Sequence, residues 1–335
     1  MDKIKNLLGK FWYAKVIGFL LVAAFPLLIG GISSANYFIL LGCFIMVYIL
    51  AASGFDILYG YCGQISLGHA GFFAIGAYGA AILDKKAGVP QILAILIACL
   101  IAVILATIIA YPAAKLRFHF LSLATIAFGE IVYSFISASP GNITGNFVGF
   151  FPNKLNLFGF VLNNYTRYYY VSFVLAIICL ILKQNLVKSK TGRAMIAIRE
   201  NVVAAGGMGI NVRSYKMIAF ATSAFFVAFS GAMYAYLVLY INPSTFMYDQ
   251  SVMFLTMLLF GGSGTLWGPV VGVVAVQLIN EGLRGFAQYQ TLFYGVFILV
   301  VILFMPSGLV NLKVFKGGLK TKKIKKSEVS NDAEG

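Results

Sequence analysis

The chain reads as a series of long apolar runs cut by short polar breaks, and the runs have the length of membrane crossings. A helix rises about 1.5 Å per residue and a hydrocarbon core is about 30 Å thick, so about 20 apolar residues make one span. On that rule the spans fall at about 14–32, 37–57, 64–83, 89–110, 118–138, 165–182, 217–240 and 290–306. The first of them lacks a small-residue cleavage site behind it, and so it reads as a retained span and not a signal peptide. The fold class predicted is all-α: a polytopic helical membrane protein of about eight spans plus a re-entrant or broken Gly-rich segment.

That broken segment is 251–281. Its apolar stretch 251–260 is too short to span, and GGSGTLWGP at 261–269 interrupts it before apolar residues resume. Gly264, Gly268 and Gly272 form two overlapping GxxxG spacings that let another helix approach closely. A second glycine-broken stretch, 60–81, carries Gln64, Ser66 and His69 among Gly68, Gly71 and other small residues. Paired interruptions of this kind point to a permeation path, against the plainer reading that the glycines merely permit tight packing in lipid.

One internal segment, 183–216, must live in water. Met195, Ile198, Val202 and Ala205 share a helical stripe, Arg193 and Glu200 lie opposite, and Thr191 is placed to cap the start. Gly206, Gly207 and Gly209 end the helix, because glycine is a poor helix former and allows the chain to turn back. Such a helix either lies on the lipid headgroups or offers a docking surface to a soluble partner.

Composition supports the membrane class: of 335 residues, 61% are hydrophobic and 10% charged, with mean hydropathy +0.91. A net charge of +15 would suit nucleic acid, but the charges sit in the wrong places for it. Lysines before the first span, Lys115 and Arg117, the bases of 183–216 and the run from Lys313 to Lys326 all fall on one side, which is the positive-inside pattern. Both termini and 183–216 are then cytoplasmic, 139–164 is external, and 251–281 must cross an even number of times. Cys43, Cys62, Cys99 and Cys179 have neither paired nor metal-ligand spacing and read as small buried hydrophobes.

No catalytic constellation emerges. The chain has no phosphate-binding GxxxxGK[ST] loop, and Asp56, Glu130, Asp249 and Glu281 are scattered carboxylates. Glu130 lies mid-span and is expected to face the bundle interior, as a coupling or gating group or as a structural polar contact. His69 has no second ligand at metal spacing, so neither metal nor cofactor is expected. Sequons at Asn142 and Asn164 fall in the external loop.

The motifs YGYCGQISLGHAGFFAIGAY (59–78), TGRAMIAIREN (191–201) followed by AAGGMGINV (204–212), and GGSGTLWGP (261–269) together resemble the M-type permease subunit of branched-chain amino acid ABC importers. The resemblance covers roughly 50–312. The apolar runs and the lysines after them divide the chain into a permease domain at 1–312 and a basic cytoplasmic tail at 313–335, expected to be disordered, and the resemblance implies a place in the cytoplasmic (inner) membrane of a bacterium. It also implies a non-enzymatic subunit working with a related H-type permease subunit, two cytoplasmic ATPase subunits and an external substrate-binding protein. Under it, 183–216 becomes the coupling loop, with Arg193, Met195, Ile198, Arg199, Glu200 and Val202 as the coupling residues; the sequence leaves open which face of the helix meets the ATPase and which meets the membrane. Gln64, Ser66, Gly68, His69, Gly71, Glu130, Gly264, Gly268 and Gly272 are then assigned to the path and its helix packing. The external loop reads Thr144, Gly145, Asn146, Phe147, Val148, Gly149, which departs from the ThrGlyGly-type turn of the family and leaves urea or a short amide as alternative cargo. A self-sufficient secondary carrier or channel is the competing class. Such a carrier would place several ionisable groups at the midplane, where Glu130 stands nearly alone.

Overall fold

The computed structural model describes residues 24–26, 35–113, 118–157 and 160–283, with single positions between 292 and 309. The expected spans at 14–32 and 290–306 therefore lie largely outside the described residues, as does the lysine-rich tail. The chain runs through α1 (Ala35–Asp56, continued as a π-helix by Ile57–Tyr61), α2 (His69–Lys85), α3 (Gln91–Ala113), α4 (Phe118–Ala138) and α5 (Tyr165–Lys188). It continues with α6 (Lys190–Glu200), α7 (Val202–Gly207), α8 (Val212–Val238), α9 (Tyr248–Gly261) and α10 (Gly268–Gly282). A two-residue antiparallel ladder, Asn156–Leu157 with Phe160–Val161, folds part of the loop between α4 and α5.

Among the described residues, 5 helices are long and apolar enough to cross a membrane: Ala35–Tyr61, Gln91–Pro112, Leu121–Ala138, Tyr165–Lys188 and Val212–Val238. The span expected at 64–83 is shorter than the pattern suggests. Its helix begins only at His69 and has 17 residues, because 62–68 is irregular backbone held by neighbouring helices.

Helix α8 is the axis of the fold and packs against α1, α2 and α3. Small residues make that packing close. A side chain at Gly76 of α2 would run into the backbone of Ala228, and one at Gly231 of α8 into the backbone of Phe73. Helix α3 uses the same device with alanine: Ala94, Ala98, Ala102, Ala106 and Ala110 form a buried stripe, while Leu96, Leu100, Ile104 and Ile108 project outward. In lipid, burying large aliphatics between helices gains little, since hydrocarbon surrounds them either way. Small residues then go inward because close backbone approach supplies the dispersion contacts.

The Gly-rich segment 251–281 is a helical hairpin in which α9 and α10 pack on each other. Gly272 faces the backbone of Met257 and Gly261 that of Gly268, so the two helices touch main chain to main chain. Pro269 sits in the first turn of α10, where a missing N–H is harmless. The hairpin starts beside the 3-10 turn Pro243–Phe246 and ends near Tyr37, whose hydroxyl donates to Glu281. Its turn, 262–267, reaches the opposite end of α1. The segment thus enters and leaves at the same end of the bundle.

Candidate functional site

Two clusters bring together the residues singled out by the sequence. The first is built on α6. Ser189 and not Thr191 caps it, its hydroxyl accepting from Gly192 N–H at 3.3 Å. Asn201 ends the helix with extended backbone and then caps α7, accepting from Val203 and Ala204 N–H at 3.0 Å each. The break falls one residue before Val202, and so Val202 leaves the stripe it was expected to share: it is 45% exposed, whereas Met195 and Ile198 are each 1% exposed. The reason is local. An Asn side chain that satisfies two orphan N–H groups starts a new helix more readily than it continues an old one.

Met195, Ile198 and Ala205 are buried within this chain, where α6 touches the π-helix and α8. Arg193, Ile196, Glu200, Val202 and Val203 are left on the outside, and Arg193 donates to Lys188 O at 2.9 Å. Arg199 is exposed as a residue, yet its guanidinium reaches inward and Nη1 donates to Gly60 O. The aliphatic stem lies against Gly63, where a Cβ would stand 3.1 Å from Arg199 Cγ.

The second cluster joins the two glycine-broken stretches. His69 is fully buried, with Nδ1 hydrogen-bonded to Ser66 Oγ at 2.9 Å and Nε2 to Ser223 Oγ at 2.8 Å, against the ring of Phe55. That is a satisfied packing histidine. Gly68 lies directly under the carbonyl of Thr125, and Gly71 is beside Phe128 and Gly129, so α4 closes over the start of α2. Thr125 Oγ1 accepts from Leu67 N–H at 3.1 Å, and Ser251 Oγ from Ala70 N–H at 2.8 Å, which ties the hairpin to 62–71. Backbone left open by the helix break is thereby answered by side chains, as membrane depth requires. Gln64 is buried, and its Oε1 has no partner among the described residues. Gly268 and Gly272 pack within the hairpin, while Gly264 adopts φ 72° in its turn.

Glu130 departs from expectation. It does not face the bundle interior but lies exposed on the outer side of α4, on the stripe of Leu123, Ile131 and Phe135. The inner side of α4 is taken by Thr125, Phe128 and Gly129 against 67–71, and a residue one step on is turned about 100° away.

Sequence reasoning missed Asp56 and Lys183. It counted the first as an isolated carboxylate and the second as a loop base, yet Lys183 Nζ lies 2.7 Å from Asp56 Oδ2 with both side chains 0% exposed. Asp56 Oδ1 also accepts from Gly264 N–H at 2.8 Å, and Lys183 donates to Thr265 O at 3.2 Å. The partners stand 127 positions apart in the chain, so no local pattern could pair them.

At the end of the bundle away from α6, the loop 139–164 is stitched down. Phe150 and Ile241 exchange backbone hydrogen bonds, Lys85 donates to Phe151 O at 2.6 Å, and Tyr240 donates to Val148 O at 3.1 Å. Phe147, Val148 and Phe151 remain exposed on it.

This chain matches, over residues 37–306, the family model described as branched-chain amino acid transport system / permease component. It is 28% identical over 305 residues to the high-affinity branched-chain amino acid transport system permease protein LivM of Escherichia coli (strain K12), covering 82% of this chain and 71% of that one. It is 30% identical over 215 residues to the galactose/methyl galactoside import permease protein MglC of Salmonella typhimurium (strain LT2), covering 60% of this chain and 62% of that one. No solved structure matches it. With the family model spanning the described bundle from α1 onward, the chain belongs to the branched-chain amino acid permease family, the multi-pass membrane subunits of ABC transporters.

Proposed function

We propose that the chain passes branched-chain amino acids inward as one of two related permease subunits, powered by two cytoplasmic ATPase subunits and supplied by an external binding protein. The observation that carries this reading is the seating of α6: Met195 and Ile198 fix it to the spans, while Arg193, Ile196, Glu200 and Val202 are left for a partner. A helix lying on headgroups would turn its apolar stripe to lipid, and this one turns that stripe to its own core. Arg193, Glu200 and Val202 then meet the ATPase, with Met195, Ile198 and Arg199 carrying the contact inward. The amino acid class is supported by the wider coverage of the LivM relative over that of MglC.

Glu130 supports a second permease subunit. A carboxylate near the middle of an 18-residue span costs several kcal/mol facing lipid, so the exposed side of α4 faces a partner chain and the watered path between them. The loop 139–164, with Phe147, Val148 and Phe151 outward, meets the binding protein. In this arrangement 183–216 is cytoplasmic and 139–164 external.

The test is reconstitution with the second permease, both ATPases and the binding protein in vesicles, measuring leucine, galactose and urea uptake with and without ATP. ATP-dependent leucine uptake is expected. Preference for galactose or urea would overturn the substrate, and uptake driven by an ion gradient without ATP would overturn the class.

A further inference from the structure

Three separate parts of the chain meet at Gly60. From one side Gly264 brings the turn of the hairpin so close that a side chain at Gly60 would run into its backbone N and into Asp56. From another, Arg199 of α6 donates to Gly60 O and fills the space beside Gly264, where a Cβ would stand 2.6 Å from its Nη1. From below, Lys183 at the end of α5 holds Asp56 at 2.7 Å and Thr265 O at 3.2 Å, its ammonium 5.6 Å from the centre of the Tyr61 ring. Asp56 completes the junction by accepting from Gly264 N–H. The meeting point is the π-helix Ile57–Tyr61, a local rewinding of the kind often found where a helix serves function.

We infer that Asp56, Lys183 and Arg199 form the joint through which a displacement of α6 is carried to the α9–α10 hairpin. The inference rests on the reading of α6 as the element that receives the ATPase. A buried ion pair is a poor source of net stability, because desolvation offsets most of the attraction, but it fixes geometry: neither charge can leave its partner. Here each charge also holds backbone of the hairpin turn, Asp56 through Gly264 and Lys183 through Thr265, while Arg199 lies near the far end of α6 and Lys183 in the last turns of α5, the helix that leads into α6. Pushing α6 therefore moves the turn, and the turn leads directly into α9, whose Ser251 holds the broken stretch 62–71. Asp56, Lys183 and Arg199 are thus positioning residues and touch no substrate.

The test uses the whole reconstituted transporter with Arg199→Met, which keeps the stem on Gly63 and removes the donor, and with the paired change Asp56→Asn and Lys183→Met, which leaves no unpaired charge. The readout is leucine transported per ATP hydrolysed, which a loss of assembled protein alone does not move. A fall of about tenfold, within the range of coupling effects, is expected in both. An unchanged ratio in Arg199→Met overturns the joint, as does a proportional loss of uptake and hydrolysis, which marks a merely structural role. Arg199→Met decides the matter even where the paired variant fails to assemble. A readout free of solute uses spin labels at Val203 and Trp267, both exposed. Their separation should hold steady on adding ATP and vanadate in the parent and vary in Arg199→Met, and equal behaviour in the two would sink the inference. Absence of ATP-driven leucine uptake in the parent would count against the proposed cargo instead, leaving the label distances to judge the joint.

Discussion

Single residues in this protein are constrained by contact more than by hydropathy. His69 has both ring nitrogens taken by serines and no exposure, so His69→Leu strands Ser66 and Ser223 in a dry interior. A loss of about 1–3 kcal/mol per stranded hydroxyl is expected, read as a lower melting temperature of the detergent-purified complex. An unaltered melting temperature would mean that the serines find other partners. Gly268 packs on the backbone of Gly262, where any side chain clashes. Gly268→Leu should insert into the membrane normally, since leucine is welcome in lipid, yet fail to assemble or transport. Full uptake by that variant would show that the turn of the hairpin opens freely.

At the scale of elements, α6 separates two kinds of substitution that the sequence stripe alone would merge. Ile198 is sealed against the protein's own spans, so Ile198→Asp buries a charge and should lower the yield of folded chain. Glu200 is exposed, so Glu200→Lys should leave yield and topology normal and weaken docking of the ATPase or the ratio of uptake to hydrolysis. Pull-down of the ATPase subunits separates the two, and equal yields with equal capture would argue for a helix that touches no partner. Helix α4 offers a similar contrast. If lipid covers its outer side, Glu130→Leu should be harmless or stabilising; beside a watered path, it should depress uptake while Glu130→Gln retains most of it. Uptake assays on the two variants decide between these.

For the whole molecule, the arrangement sets α6 and the loop 139–164 at opposite ends of α5, a helix of 24 residues. Cysteines introduced at Lys188 and Asn156 should therefore react with a membrane-impermeant maleimide from opposite sides. The native Cys43, Cys62, Cys99 and Cys179 are all buried and should stay silent in that assay. Labelling of both positions from one side would overturn the topology.

What the amino-acid order determined by itself follows from lengths and composition. Runs of about 20 apolar residues must be helical to satisfy their own backbone in lipid, so the spans were legible wherever helices are continuous. The two glycine-broken stretches were legible for the converse reason, since glycines interrupt a helix that apolar length alone would continue. The water-exposed helix could be found from its stripe, but its end at Asn201 could not, since a capping side chain and a helical one look alike until the neighbours are known. Tertiary structure alone decided three things. It turned Met195 and Ile198 inward, because α6 must cover the ends of the π-helix and α8. It placed Glu130 on the outer face of α4, because the inner face was needed for close contact with Gly68 and Gly71. And it joined Asp56 to Lys183 across 127 positions, an encounter fixed by how α1, α5 and the hairpin converge and by the need of each buried charge for its opposite.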